Sequence, residues 1–195
     1  MKSNNSVMHK IYTVLLSSLF VTALSAQAPS YVDFEWDVLR VGYVFNLADG
    51  DAQGGGAFGG ELRYNATDRF SLGFSGDFAL ISNNVGPDTE VGVTGNSLIV
   101  GDYYLHNRSA QRPFVGLGLG LYSTSSFTLE DGGGIDEEIP GSTGAGLAPR
   151  VGYEFGHIRL QGQYNITLQE DQSDYFTLTV ALTLWGGYRG GGRDY

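Results

Sequence analysis

The sequence has no cysteine and almost no lysine. Without cysteine the chain can form no disulfide, and it lacks the residue that carries the lipid of bacterial lipoproteins. Lysine occurs only at Lys2 and Lys10, and the formal net charge of the 195 residues is −10. Nucleic-acid-binding proteins present clustered basic residues, so that class is disfavoured. Beyond Ala28 no apolar run approaches the ~20 residues of a membrane-spanning helix.

Residues 1–28 have the pattern of a secretory signal peptide. Lys2 and Lys10 supply the positive start, and Ile11–Leu24 forms an apolar stretch shorter than the ~18 residues of a span. Ala26-Gln-Ala28 is a small-residue cleavage signal, and cleavage after Ala26 fits nearly as well as cleavage after Ala28. We therefore expect export through the Sec pathway and a mature domain within residues 29–195.

The dominant pattern in the mature chain is strict alternation of apolar and polar residues. It is clearest in His157–Leu168 and Tyr175–Trp185, which an acidic turn separates. Alternation of this length predicts β-strands. Ordinary strands have about 5 or 6 residues, whereas a tilted strand needs about 9 to 11 residues to cross a bilayer. These two runs are long enough to cross.

Eight such runs occur, with no helical pattern between them. They are Trp36–Phe45, Ala57–Asn65, Phe70–Ile81, Ser97–His106, Pro113–Ser123, Gly146–Phe155, His157–Leu168 and Tyr175–Trp185. Long connections alternate with short ones, as in outer-membrane barrels, whose outer loops are long and whose periplasmic turns are short. The sequence predicts an all-β fold, an eight-stranded antiparallel up-and-down transmembrane β-barrel over residues 36–185, with a periplasmic tail at 186–195.

The polar face of these runs carries eight charged residues. They are Arg40, Glu61, Arg63, Asp77, Asp102, Arg150, Glu154 and Arg159. An arginine facing lipid costs about 2–4 kcal/mol near the bilayer midplane, so we predict that this face lines the lumen. Buried charges must pair, and the equal numbers of arginines and acids permit a network that plugs the barrel. A secreted lipocalin-like barrel, with the apolar face inside around a greasy ligand, is an alternative.

With this plan the mature chain resembles the small bacterial outer-membrane β-barrel proteins of the OmpX, OmpA-transmembrane and opacity-protein type. The eight runs, Leu147–Phe155 before a tight turn, and Arg159–Asn165 after it carry the resemblance. It implies a Gram-negative outer-membrane location, contact with lipid and lipopolysaccharide, and assembly by the barrel-assembly machinery. Family members usually end in an aromatic residue that closes the last strand. Here Gly186–Tyr195 follows Trp185, so either Trp185 with Tyr188 or the terminal Tyr195 would be the assembly signal.

No motif in the sequence predicts an enzyme. Lipid A acylases and deacylases resemble this architecture and use His with Ser near the outer surface. In this chain His106 and His157 lie beside the predicted short periplasmic turns, at the opposite end. The triple glycines at 54–56 and 132–134 lack the following helix of a phosphate loop.

We expect no catalytic residue and no cofactor, and a monomer with a structural or surface-contact role. A small porin-like channel or carrier, similar to OmpW, is the alternative function.

The long connections predicted to face outward are acidic throughout. They hold twelve acids and neither lysine nor arginine: Asp49, Asp51, Asp88, Glu90, Glu130, Asp131, Asp136, Glu137, Glu138, Glu170, Asp171 and Asp174. Carboxylate oxygens suit Ca²⁺ and Mg²⁺, which predicts a surface metal site at Glu130, Asp131, Asp136, Glu137 and Glu138. The acidic field could equally steer a basic extracellular partner or serve only as a solvated surface.

Overall fold

Eight antiparallel strands form a closed barrel in the computed structural model of the chain. The strands are β1 Phe34–Asn46, β2 Gln53–Thr67, β3 Phe70–Val85, β4 Asp88–Tyr104, β5 Gln111–Leu129, β6 Ile135–Phe155, β7 Ile158–Thr167 and β8 Tyr175–Leu184. Each strand pairs with its neighbours in sequence, and β1 pairs with β8 to close the barrel. This confirms the predicted fold class and strand order.

The structure describes residues 32–46, 53–85, 88–106, 111–129, 135–169 and 173–185. At 46, 53, 82–85, 88–90, 126–129 and 135–140 it describes the backbone alone. Within these ranges, no helix is long and apolar enough to cross a bilayer, a criterion that does not apply to strands.

The two ends of the barrel differ in the length of their strands. At one end, here called the short-turn end, β2 and β3 join through residues 68–69, and β6 and β7 join through a turn at 156–157. Gly156 takes a φ of 65° in this two-residue turn, a backbone conformation that glycine adopts without a steric penalty. At the other end, the extended end, β3 to β6 are the longest strands, with 16 to 21 residues against 10 in each of β7 and β8.

The predicted long outer connections are partly wrong. The eight runs place two of these connections at 82–96 and 124–145, but β3 runs to Val85 and pairs with Asp88 at the start of β4. Likewise β5 runs to Leu129, and β6 begins at Ile135. Apolar residues are sparser here than in the eight runs, because a sheet that rises out of lipid needs no continuous apolar face. The backbone ladder nevertheless continues: Asn84 lies opposite Thr89, and Val91 lies opposite Phe127.

The apolar side chains face outward and the charged side chains face inward. Ile99 is 68% exposed and Phe78 is 60% exposed, whereas Arg40, Arg63 and Arg159 are at most 1% exposed. A water-soluble barrel has the opposite polarity, with apolar residues in its interior. The structure therefore contradicts the lipocalin-like alternative, and the continuous apolar exterior suits a bilayer.

Inward-facing glycines make room for bulky neighbours on the inner wall. Tyr122 lies over Gly146 and Phe114 lies over Gly152, so closely that a Cβ at either glycine would fall within 2.5 Å of the ring. Gly59 and Gly116 face Asp77 and Asp102 in the same way. Glycine at these positions lets aromatic and charged side chains fill an interior that eight strands leave narrow.

Candidate functional site in the barrel interior

Arg150 on β6 stands at the centre of the interior charge network. Its Nε and Nη2 donate to the two carboxylate oxygens of Asp102 on β4 at 2.7 and 2.8 Å. Its Nη1 and Nη2 also donate to Glu61 on β2 at 2.7 and 2.9 Å. Two-pronged contacts of this kind match the planar guanidinium to a carboxylate and are among the stronger hydrogen bonds in proteins.

Arg40 extends the network toward the extended end. Its Nη2 lies 2.6 Å from Glu61 Oε2, and its Nη1 lies 3.0 Å from Asp77 Oδ1. Nη1 also donates to Ser75 Oγ at 2.9 Å, and Ser75 donates in turn to Asp77. Arg40 thus connects Glu61 on β2 to Asp77 on β3.

Arg63 and Arg159 extend the network toward the short-turn end. Arg63 Nη1 lies 2.6 Å from Asp37 Oδ2, and Arg159 Nη2 lies 2.6 Å from Asp102 Oδ2. Arg159 also forms a close ion pair with Glu154. Its guanidinium stacks 3.7 Å above the ring of Phe114, a cation–π contact that covers its apolar face.

All eight charged residues named from the sequence lie in this interior network, and the structure adds three more. Glu35, Asp37 and Arg112 are at most 3% exposed. Arg112 Nη2 lies 2.8 Å from Glu35 Oε1 and 2.6 Å from Glu154 Oε2, and its guanidinium lies 4.1 Å from the ring centre of Tyr104. The described interior therefore holds five arginines and six carboxylates.

Alternation did not predict Glu35 and Asp37 as interior residues, because β1 contains a bulge. The ladder with β2 shifts between Asp37 and Arg40, and the ladder with β8 shifts between Asp37 and Leu39. An extra residue at this point reverses which face each side chain takes. Extending the alternation backwards from Arg40 therefore put both acids on the lipid side. The signal was present in the sequence, since the apolar residues change phase between Trp36 and Leu39.

A ladder of amides continues from the ion pairs along β7. Arg159 donates to Gln161 at 3.2 Å, Gln161 to Gln163 at 3.0 Å, and Gln163 to Asn165 at 2.8 Å. Tyr122 Oη closes the ladder with a hydrogen bond of 3.1 Å to Asn165. Side chains at i and i+2 share a strand face, which is why the alternate polar positions of one run can bond in series.

Neither histidine of the described chain lies in this network. His157 is exposed in the turn beside Gly156, with Nδ1 3.0 Å from the backbone oxygen of Thr183. His106 is exposed just after β4. Both stand at the short-turn end, where the sequence predicted them.

The predicted surface metal site lies outside what the structure describes. Glu130 and Asp131 fall outside the described residues, and the side chains of Asp136, Glu137 and Glu138 are not described either. This site remains a prediction from the sequence. Among the side chains that are described, no group of three or more His, Asp or Glu is arranged to hold a metal ion.

Comparison with solved structures finds similar barrels among bacterial outer-membrane proteins. One is Ail, the attachment invasion locus protein of Yersinia pestis, solved in complex with the heparin analogue sucrose octasulfate. Its sequence is 12% identical and its TM-score is 0.51, and the match covers 78% of this chain and 99% of that chain. Neisserial surface protein A is 14% identical with a TM-score of 0.51, over 81% of this chain and 98% of that chain. No family model and no curated protein sequence matches the chain. At these identities the likeness shows the fold alone, that of the eight-stranded outer-membrane barrels.

Proposed function

We propose that the protein is a non-enzymatic outer-membrane barrel with a plugged lumen, serving the envelope structurally or through contacts at its outer surface. The observation that carries this proposal is the interior network, in which each of the six carboxylates lies within 4.0 Å of at least one arginine nitrogen. Paired in this way, the described side chains place fixed charge across the lumen, and we expect them to block the passage of ions.

The extended end supports contact with a partner rather than transport. Strands β3 to β6 carry the sheet beyond the other four strands, and the acids at 136–138 lie on the rising part of β6. Ail was crystallised with a polyanion. This chain has twelve acids and neither lysine nor arginine in its predicted outer connections, so we propose that it attracts cations or basic partners instead.

Conductance in a planar bilayer tests the plugged lumen. We expect the purified mature protein to show no large, steady current, because the ion pairs span the described interior. The double variant Arg150→Met, Glu61→Gln lacks the ion pair between these two side chains. Its conductance is measured in the same bilayer for comparison with the wild type. A reproducible open-pore current in the wild type would refute the plugged barrel and favour the porin-like alternative.

Epitope tags test the topology. A tag at Gly133, between β5 and β6, should be accessible on intact cells, whereas a tag at Ser109, between β4 and β5, should become accessible only after the outer membrane is permeabilised. Cell fractionation with a heat-modifiability gel should place the folded protein in the outer membrane. Equal accessibility of the two tags in intact cells would contradict the proposed orientation.

A further inference from the structure

A cluster of buried apolar side chains crosses the lumen beside the ion pairs. Its members come from seven of the eight strands and pack into one cluster: Val44, Ala57, Ala79, Leu98, Val100, Tyr122, Ala148 and Tyr175. None of them is more than 4% exposed. We call these eight residues the apolar layer.

The apolar layer lies on the extended-end side of the ion pairs. Every second residue of a strand faces inward. On three strands the next inward position toward the extended end from a charged residue belongs to the layer: Ala79 follows Asp77, Val100 precedes Asp102, and Ala148 precedes Arg150. The layer and the ion pairs therefore lie in series along the barrel axis.

Two tyrosine rings fill one part of the layer. Tyr122 and Tyr175 meet edge to face, with ring centres 6.4 Å apart. Tyr122 lies over Gly146, and its hydroxyl donates to Asn165 Oδ1 at 3.1 Å. Asn165 lies on β7, the strand without a member of the layer. The two rings thus connect the layer to this last strand.

Aliphatic side chains fill the part of the layer beside β5. Gly118 on β5 lies between Val100 on β4 and Ala148 on β6 in the sheet. A Cβ at Gly118 would fall 3.1 to 3.3 Å from Leu98, Ala148 and Val100. The side chains of β4 and β6 therefore meet over this glycine, and they pack closely, as in the core of a soluble protein.

We propose that the apolar layer is a second barrier to ions, which holds the lumen closed even when the central ion pairs are broken. This inference rests on the plugged lumen proposed above. An ion that crosses the layer must lose its hydration among apolar side chains, which is costly, and hydrophobic constrictions block conduction by excluding water. The layer also keeps water at the extended end away from the ion pairs, whose attraction is stronger in a dry interior.

Conductance of the mature protein in a planar bilayer separates the two barriers. The ionic variant, Arg150→Met with Glu61→Gln, should show no steady current, because the apolar layer remains. Tyr122→Ser with Tyr175→Ser removes both rings and should also stay closed, because the ion pairs remain. The four substitutions together should give a reproducible current. Tyr122→Phe with Tyr175→Phe, added to the ionic variant, is the matched control: it keeps the rings, so it should stay closed.

Three results of this experiment would overturn the proposal. If the ionic variant conducts as strongly as the quadruple variant, the layer is no barrier. If the quadruple variant is silent, another part of the lumen closes the barrel. If the variant with the phenylalanines conducts, the apolar rings do not form the seal. A current in the wild type would instead refute the plugged lumen as a whole, so the two proposals fail in different ways.

Thiol labelling tests the layer in protein that keeps all its ion pairs. The chain has no cysteine, so one thiol can be introduced at a chosen position. Thr179 on β8 is 6% exposed and lies two inward positions from Tyr175, toward the short-turn end. Thr124 on β5 lies beyond Tyr122 toward the extended end and is partly exposed.

Thr179→Cys should react slowly with a water-soluble thiol reagent when both tyrosines are present. It should react about 10-fold faster or more in the variant with Tyr122→Ser and Tyr175→Ser, because a buried thiol otherwise reacts only through local opening. Thr124→Cys, the control, should react quickly in both proteins. Equal rates for Thr179→Cys with and without the rings, in variants whose gel mobility shows that they are folded, would overturn the proposal.

Discussion

Arg150 provides the sharpest test of the interior network, because its guanidinium joins acids from two strands that are not neighbours in the sheet. It makes four hydrogen bonds to Asp102 and Glu61, all between 2.7 and 2.9 Å. At about 1.5–3 kcal/mol for each bond to a charged group, simple addition would give roughly 6–12 kcal/mol. Asp102 keeps Arg159 and Glu61 keeps Arg40, each at 2.6 Å. We therefore expect Arg150→Met to lower the free energy of unfolding by about 3–5 kcal/mol, the usual loss when a buried ion pair is broken.

The assay is equilibrium unfolding in detergent micelles or liposomes, followed by tryptophan fluorescence and by the mobility shift of the unheated protein in gels. Arg69→Met is the matched control, since Arg69 is exposed at a turn with one long hydrogen bond of 3.4 Å to Tyr103. It should change the free energy of unfolding by no more than about 0.5 kcal/mol. Arg150→Lys keeps the charge but loses the two-pronged geometry, so its loss should be intermediate.

A double variant tests the reason for the loss. When Asp102→Asn is combined with Arg150→Met, one of the stranded charges is gone, so the combined loss should be smaller than the sum of the two single losses. If Arg150→Met proved no more destabilising than Arg69→Met, or if the two interior substitutions were additive, the reasoning from a shared ionic network would be wrong.

Two further predictions concern the inner wall and the outer surface. Gly116→Ala should destabilise the barrel, because a Cβ there would meet Asp102 Oδ1 at 2.0 Å, whereas Gly101→Ala, whose Cβ would find its nearest neighbour at 3.6 Å, should cost much less in the same unfolding assay. Comparable losses at the two glycines would show that the interior can shift to accept a methyl group. Millimolar Ca²⁺ should raise the Tm of the wild type, and this shift should vanish when Glu130, Asp131, Asp136, Glu137 and Glu138 become Gln or Asn; an unchanged shift would leave only a solvated acidic surface.

The sequence alone determined the fold, the strand order and the polarity of the wall. Alternation with a period of two assigns each side chain of a strand to one face. The cost of exposing arginine to lipid then decides which face points inward. These two facts predict which eight charged residues face inward, and the structure places each of them in the lumen. The same rule explains the misplacement of Glu35 and Asp37, because one extra residue in β1 reverses the faces.

Only the tertiary structure decided which charges meet. Arg150 and Glu61 are 89 residues apart in the chain, and they touch across the lumen because β2 and β6 lie on opposite walls. Closure of the barrel sets this pairing, and it leaves Asp77 with Arg40 as its one arginine partner among the described ion pairs. The extension of β3 to β6 beyond the other strands also came only from the structure. Periodicity shows which face of a strand is apolar, and outside the bilayer neither face has to be apolar, so backbone pairing there leaves a weaker pattern in the sequence.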